Sequence, residues 1–285
     1  MKYQDKADAT HCIEENLRIE ADAHDDEYEG RTPFGLGSLT FTKEQVWRIN
    51  DHSYKSGTYR RGWRKRRLFE LMDLGNLGGQ RVLEVGCGQG HNSVFFAMYG
   101  AEVYGFDLSS GGIRMARRIA AANGVANRCH FAVASASNMP YPDEHYDAVV
   151  YNATLHHAIK YPNVVEETRR VLKTGGRLFF AEGIRENSVY RLVRSIKKAL
   201  HPIPYHGDID LETEDIDRMI HGYTSVYVER FCLIEKFAQG LGNDYDNNWL
   251  VRAMYFGASQ ADRILLRLIP SLRRQCLEII GVAVK

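Results

Sequence analysis

One stretch, Arg81-Val-Leu-Glu-Val-Gly-Cys-Gly-Gln-Gly90, constrains the fold of this chain more than any other. Val82, Leu83 and Val85 have the apolar, β-branched character of a buried parallel strand. The glycines after them let the backbone turn sharply and approach a ligand with no Cβ in the way. His91 to Tyr99 carries Val94, Phe95, Phe96 and Met98 and reads as a helix, Gly100 stops it, and Glu102 to Phe106 reads as the next strand. Asp107 therefore falls at the C-terminal end of the second strand, where a carboxylate can accept both hydroxyl hydrogens of a ribose.

The same rhythm continues downstream. Ser109 to Asn123 reads as a helix with Ile113, Ala116, Ile119 and Ala120 on one face and Gly124 as its stop. His130 to Ala134 and Tyr146 to Tyr151 read as the third and fourth strands, Asn163 to Leu172 as an amphipathic helix, and Arg177 to Ala181 as a fifth strand after the Thr174-Gly175-Gly176 loop. Strand and helix alternating in this way mark a doubly wound sheet. Upstream, residues 1 to 40 are polar and acidic, with a short helix possible over Glu14 to His24. Thr42 to Asn50 reads as a helix with Thr42 as N-cap and Gln45 at the capping-box position, His52 to Tyr59 as a tyrosine-rich loop, and Arg64 to Leu74 as a helix.

After Glu182 an inserted helix is expected over Asn187 to Leu200, with Arg191, Arg194, Lys197 and Lys198 around an apolar face. The two prolines of His201 to Asp208 forbid a helix there. Glu212 to Ile220 should be helical, Thr224 to Phe231 a sixth strand, residues 247 to 269 one or two helices, and Cys276 to Val284 a seventh strand. The expected architecture is α/β, a seven-stranded, mostly parallel sheet with helices on both faces. Its parts are an N-terminal helical arm and lid (1–79), a cofactor-binding core (80–182), a helical insertion after the fifth strand that shapes the substrate pocket (183–222), and a C-terminal completion of the sheet (223–285).

The glycine spacing bears on the ligand. A dinucleotide fingerprint is G-x-G-x-x-G with a pyrophosphate on the helix N-terminus, whereas Gly86-Cys87-Gly88-Gln89-Gly90 is G-x-G-x-G preceded by Glu84. An acidic residue there repels phosphate and suits a cation. Together with Asp107, these residues resemble the first two motifs of class I S-adenosylmethionine-dependent methyltransferases, of the methyltransferase type 11 group, whose folds are Rossmann-like. Ser135 to Asp147 is similar to the family segment that reaches the adenine pocket, and Leu172 to Leu178 looks like the family loop before the fifth strand, so the resemblance runs from about residue 80 to 182. It implies S-adenosylmethionine as cofactor and S-adenosylhomocysteine as product. By the same resemblance, Glu84 and the turn of Gly86, Cys87, Gly88 and Gly90 hold the methionine end, Asp107 the ribose, and Leu108 packs on adenine. Ser135 and Ala136 lie beside adenine, with Ser135 where the family commonly has an acidic residue, and Asn152 joins the site from the fourth strand. No metal is expected.

A sulfonium already activates its methyl group, so such an enzyme contributes mainly by holding the nucleophile in line and excluding water. A hydroxyl acceptor also needs a base. His156 and His157 follow the fourth strand, whose end faces the ligand crevice, and His206 with Asp208 in the proline-bracketed loop are rivals. One histidine of such a pair is structural in related methyltransferases. His52, Tyr54 and Tyr59 fit a lid over the cofactor or simple packing of the arm, and Cys87 reads as a small packed residue with no partner that would make it a nucleophile.

Formal charge is +1 with 26% charged residues, so no global bias points to nucleic acid or to a membrane surface. Arg60 to Arg67 holds six positive charges and Trp63. It suits a solvated helix face better than a grip on phosphate or RNA. Arg263 to Arg274 is amphipathic and basic, which permits peripheral membrane contact, although a helix packed on the sheet is favoured. Five cysteines, with no C-x-x-C pair, fit a reducing, cytoplasmic setting. Residues 1 to 30 lack the apolar core of a signal peptide, and no run of about 18 apolar residues marks a transmembrane helix. The function expected is methyl transfer to a small molecule, at oxygen, on a natural-product scaffold or a cell-envelope glycan or lipid intermediate. The alternatives are an RNA or protein methyltransferase, a protein that binds the cofactor without transferring its methyl group (a pericyclic or isomerising catalyst, or a partner protein), and a dehydrogenase.

Overall fold

The computed structural model describes residues 15–22, 25, 36–55, 61–200, 211–238 and 248–285. A short helix, α1, covers 15–22, followed by α2 (Lys43–Lys55) and α3 (Arg61–Met72). The core then runs β1 (Arg81–Val85), α4 (His91–Met98), β2 (Glu102–Asp107), α5 (Ser110–Ala122), β3 (Cys129–Val133) and β4 (Tyr146–Asn152). After these come α6 (Leu155–Ala158), α7 (Val164–Val171), β5 (Leu172–Gly183), α8 (Ser188–Leu200) and α9 (Thr213–Ile220). The chain continues through β6 (Ser225–Phe231), α10 (Glu235–Ala238), α11 (Trp249–Leu268) and β7 (Glu278–Val284).

The strands form one seven-stranded sheet in the order β3-β2-β1-β4-β5-β7-β6. β7 runs antiparallel to both β5 and β6, and the remaining pairs are parallel. The order reverses between β1 and β4, the position where an open α/β sheet leaves a crevice at its C-terminal edge.

Two-residue alternation sorts the core onto the two faces. Along β1, Val82 packs on the side of Phe69, Phe95 and Phe96, while Leu83 and Val85 pack on the side of Tyr146, Tyr151 and Phe180. Glu84, two positions after Val82, consequently faces α4. Burial on both sides explains why these strands are continuous apolar runs.

Several local expectations hold in detail. The capping box is formed: the Thr42 amide donates to Gln45 Oε1 at 2.8 Å and the Gln45 amide to Thr42 Oγ1 at 3.2 Å. Other elements differ. α2 continues through His52 and Tyr54 to Lys55, where a loop was expected, because no glycine or proline interrupts the sequence before Gly57. The Thr174 to Gly176 loop is an irregularity inside β5, whose pairing with β4 shifts register between Tyr146 and Ala148. α11 buries Tyr255 and Leu266 and shares a small core with Leu233 and Cys276. It packs there and on α10, and the expectation of a helix laid on the sheet gives way to a helix beside it. Among the described residues no helix is long and apolar enough to cross a membrane.

The basic cluster of α3 is mostly committed to carboxylates. Arg64 pairs with Glu278 at 2.6 Å, Arg67 with Glu229 at 3.0 Å, and Arg66 with Glu70 at 3.1 Å. Arg66 also lies over the Trp47 ring, 4.3 Å from its centre. A solvated face was expected, but α3 is instead fastened by charge to β6 and β7. Arg60 lies outside the described residues.

Glu278 also accepts a hydrogen bond from Lys236 at 2.7 Å. Burial pushes its carboxyl up, but the charges of Arg64 and Lys236 outweigh that and hold it below the usual range. Removing the anion strands two half-buried cations. Glu278→Gln is therefore expected to cost roughly 3–5 kcal/mol in urea unfolding, and an unchanged midpoint would show that the cluster contributes nothing to stability.

Candidate functional site

The crevice beside the β1–β4 junction contains a cavity of about 240 Å³. Val85 and Gly86 reach it from β1, Asp107 and Leu108 from the end of β2, and Thr154 and His157 from the segment after β4. Gly86 has φ 63°, and a Cβ there would stand 2.1 Å from Thr154 Cγ2. The position needs glycine both for its backbone and for Thr154, whose Oγ1 donates to the Gly86 carbonyl at 3.3 Å.

Asp107 is 6% exposed. Its Oδ2 accepts the Gly88 amide at 2.8 Å and its Oδ1 the Ser109 amide at 2.9 Å. A carboxylate oxygen has two acceptor sites, so each can still take a hydroxyl hydrogen while holding its loop. Leu108, Ser135 and Ala136 border the same cavity. The Ser135 hydroxyl is engaged within its own turn, accepting the Ser137 amide at 3.3 Å and lying 2.8 Å from Ser137 Oγ.

Other residues singled out by sequence stand back from the cavity. Glu84 is buried, with its carboxylate accepting from Asn92 Nδ2 at 2.8 Å and from the Ser93 hydroxyl, both on α4. Burial raises its pKa, against the pull of those bonds. Cys87 donates its amide to the Phe106 carbonyl at 2.9 Å and points its thiol toward Gly105. Burial, then the charges of Glu84 and Asp107, push that thiol well up, which leaves it neutral and unreactive at ordinary pH. Gly88 and Gly90 form the turn into α4 with φ of 52° and 71°. Asn152 ends β4, and its carbonyl accepts from Thr154 Oγ1 at 3.3 Å. His206 and Asp208 lie outside the described residues, as does Tyr59, and His52 and Tyr54 are described only as parts of α2.

His156 and His157 share the short α6, their ring centres 4.1 Å apart. His157 borders the cavity. His156 Nδ1 lies 2.9 Å from Glu182 Oε2, and Glu182 Oε1 accepts the amides of Thr154 at 2.8 Å and Leu155 at 2.7 Å. Glu182 is wholly buried at the end of β5. It thus fixes both the start of α6 and the ring of His156. With Nδ1 donating to that carboxylate, the remaining acceptor of a neutral ring is Nε2.

The N-terminal arm supplies residues that sequence reading did not single out. Leu17 and Glu20, one helical turn apart on α1, reach the cavity. Glu20 accepts from Tyr161 Oη at 2.9 Å, pairs with Lys160, and lies 3.8 Å from His157 Nδ1. Further along, Asp25 takes the Gly111 amide at 2.8 Å and the Ser109 hydroxyl, at the N-terminus of α5. The i, i+3 spacing of Leu17 and Glu20 was the only sequence signal for this docking. Glu182 had a clearer one, a lone carboxylate closing the apolar run Leu178 to Ala181.

Among the described residues, the acidic side chains bordering the cavity are Asp107 and Glu20, the latter paired with Lys160, and no lysine or arginine borders it. That set fits a nucleoside carrying a cationic tail and disfavours a pyrophosphate. Among the described residues no His, Cys, Asp and Glu are grouped as a metal site.

A sheet of this order, a glycine turn after β1 and a carboxylate ending β2 define a Rossmann-like methyltransferase core. Residues 83–180 match the family model described as a methyltransferase domain. Over these residues the chain is similar to the core of class I S-adenosylmethionine-dependent methyltransferases. It is 34% identical over 116 residues to methyltransferase GfsG of Streptomyces halstedii, covering 40% of this chain and 41% of that protein. It is 33% identical over 106 residues to demethylmenaquinone methyltransferase of Clavibacter sepedonicus, covering 37% and 42%. The chain thus spans about two fifths of the length of these curated relatives. Among solved structures, geranyl diphosphate C-methyltransferase from Streptomyces coelicolor A3(2), in complex with Mg²⁺, geranyl diphosphate and S-adenosylhomocysteine, has a TM-score of 0.52 at 16% identity over 78% of each chain. That likeness is one of fold.

Two outcomes are expected from this geometry. Asp107→Ala removes a charged acceptor from the cavity and is expected to weaken S-adenosylhomocysteine binding about tenfold to a hundredfold by calorimetry, at ~1.5–3 kcal/mol for a charged hydrogen bond; unchanged affinity would remove Asp107 from the site. Glu20 is governed first by burial, which raises its pKa, but bonds from His157, Lys160 and Tyr161 outweigh this and lower it from 4.5 to about 2. A lowered carboxyl pKa stabilises the docked arm fully above 4.5 and less as pH falls toward about 2. Hydrogen exchange over residues 15–22, corrected for intrinsic rates, is expected to lose protection across that window, and Glu20→Gln to abolish the dependence.

Proposed function

We propose that this chain transfers a methyl group from S-adenosylmethionine to a hydroxyl of a small molecule, with His156 as general base and Glu182 as its positioning residue. The observation that carries the reading is the buried Glu182 carboxylate 2.9 Å from His156 Nδ1. It holds Nδ1 toward the carboxylate and leaves Nε2 to take a hydroxyl proton.

When bound, the cofactor supplies a methyl group already activated by a positive sulfur. The chain's residues do the rest. Asp107 would hold the ribose hydroxyls, and Leu108, Ala134 and Ala136 give the nucleoside an apolar bed. The Gly86 turn and Thr154 would shape the end of the cavity beside the sulfur. Glu20 offers negative charge toward a cationic ligand, and α1 with Asp25 would act as a lid that keeps water out.

The acceptor class is suggested by the surroundings of the rim. The insertion holding α8 and α9 leaves β5 directly after Glu182 and Gly183, a position suited to choosing the acceptor. The near-neutral formal charge and the paired arginines of α3 speak against RNA. The Clavibacter relative is named for a demethylmenaquinone acceptor, an apolar small molecule, which supports a natural-product or lipid-linked acceptor here, handled in a reducing, cytoplasmic setting.

Methyl transfer from labelled cofactor to a panel of hydroxylated small molecules tests this reading. His156→Ala is expected to lower kcat on the order of a hundredfold to ten-thousandfold, with affinity for S-adenosylhomocysteine unchanged. His157→Ala, with His156 intact, is expected to affect binding more than kcat. Full activity in His156→Ala would overturn the base assignment, and firm cofactor binding with no methylated product from any acceptor would overturn transfer itself.

A further inference from the structure

α11 has two apolar sides. One, with Tyr255 and Leu266, is buried against the protein. The opposite side stands in solvent: Trp249 is 72% exposed, Leu250 53%, Ile264 57% and Leu268 72%. At 3.6 residues per turn these four positions fall within one stripe roughly 100° wide. A packed helix needs only one such stripe, and among the described residues nothing covers the second.

The charge along this stretch has a single sign. Arg252, Arg263, Arg267, Arg273 and Arg274 are all exposed between Trp249 and Gln275. Asp262, the sole acidic residue there, is buried, with its carboxylate accepting the amides of Leu233 and Ile234 at 2.8 and 2.7 Å. α8 adds exposed apolar side chains, with Val189, Leu192 and Ile196 59%, 61% and 51% exposed. Its sequence contains two arginines, two lysines and no acid, and Arg191 pairs with Glu212. The two helices belong to one region, because Asn187 Nδ2 donates to the Gln275 carbonyl at 2.7 Å and the Ser188 amide to Gln275 Oε1 at 3.2 Å. Asn187 Oδ1 also accepts the Tyr190 amide at 2.9 Å, which fixes the start of α8 at that junction.

We infer that α8 and α11 form a docking surface for an anionic lipid bilayer, with their exposed apolar side chains in the headgroup and acyl boundary and the arginines on lipid phosphates. Charge complementarity selects this occupant. A second copy docked by the same face would set arginines against arginines with no exposed carboxylate on α11 to offset them, and a neutral apolar groove would offer these charges no opposite charge. Neither helix can span a bilayer, so the contact is peripheral. No residue of α8 or α11 borders the cavity, so the surface is tested independently of methyl transfer.

Flotation of the whole chain with phosphatidylcholine vesicles, with and without phosphatidylglycerol, tests the inference. The protein is expected to float only with the anionic vesicles and to be released by high salt. Replacing Arg267, Arg273 and Arg274 together by alanine is expected to weaken binding on the order of a hundredfold, about fivefold per arginine. Trp249→Ser with Leu268→Ser should weaken it as well, while thermal unfolding and affinity for S-adenosylhomocysteine stay as in the parent. Equal binding to both vesicle types, or binding to neither, would overturn the proposal. So would a dimer in sedimentation that Leu268→Ser abolishes without any change in vesicle binding.

Discussion

Three buried carboxylates near the C-terminal edge of the sheet hold the rest of the site in place. Glu84, Asp107 and Glu182 sit at or beside the ends of β1, β2 and β5, and all are 6% exposed or less. A charge buried in this way is costly unless every oxygen is bonded. Here the donors come from the segments that succeed the strands: α4 for Glu84, the Gly88 and Ser109 amides for Asp107, and the start of α6 for Glu182. Each anion ties a flexible connection to a rigid strand. The crevice is therefore shaped before any ligand arrives.

The division of labour among the three reflects the faces of their strands. Glu84 shares the face of Val82 and so lies beneath α4, where it serves the turn. Asp107 and Glu182 reach outward at the edge, one toward the cavity and the other toward His156. The arm adds a second layer of acid, since Glu20 seats α1 on Lys160 and Tyr161 while Asp25 binds the α5 N-terminus. On the opposite side, the α3 arginines bind β6 and β7, so the segment that precedes the core is fastened to the strands that complete it. Four separate stretches of sequence are joined by charge around one sheet.

Much of this was legible in the sequence, for identifiable reasons. The β1 run, the glycine turn and Asp107 are consecutive and carry their own punctuation, and the Thr42 and Gln45 capping box is a contact between neighbours. Long-range partners were not legible. Nothing near His156 announces that its ring will meet Glu182, 26 positions later, because that meeting depends on β4 lying beside β5. Glu20 is less visible still, since its partners are about 140 positions away. Glu84 was singled out by the resemblance to a family as a residue at the methionine end, and its place on the same strand face as Val82, beneath α4, was not drawn from the sequence. The length of α2 was obscured by composition: aromatic and polar residues resemble a loop, yet no glycine or proline interrupts the helix before Gly57.

The position of β7 bears on how the chain reaches this fold. It lies between β5 and β6 and is hydrogen-bonded along its length to both. β6 leaves the ribosome first and has no neighbour until β7 is made. During that interval β5 presents an open edge of unpaired amides and carbonyls, flanked by Phe179 and Phe180, which are buried in the finished molecule. Cofactor-side strands β1 to β5 pair mainly with near neighbours, whereas the final insertion joins distant segments and carries the larger loop-closure cost. Until β7 is made the sheet is unfinished, and the β5 edge is the place where a chaperone or a misplaced strand would engage the nascent protein.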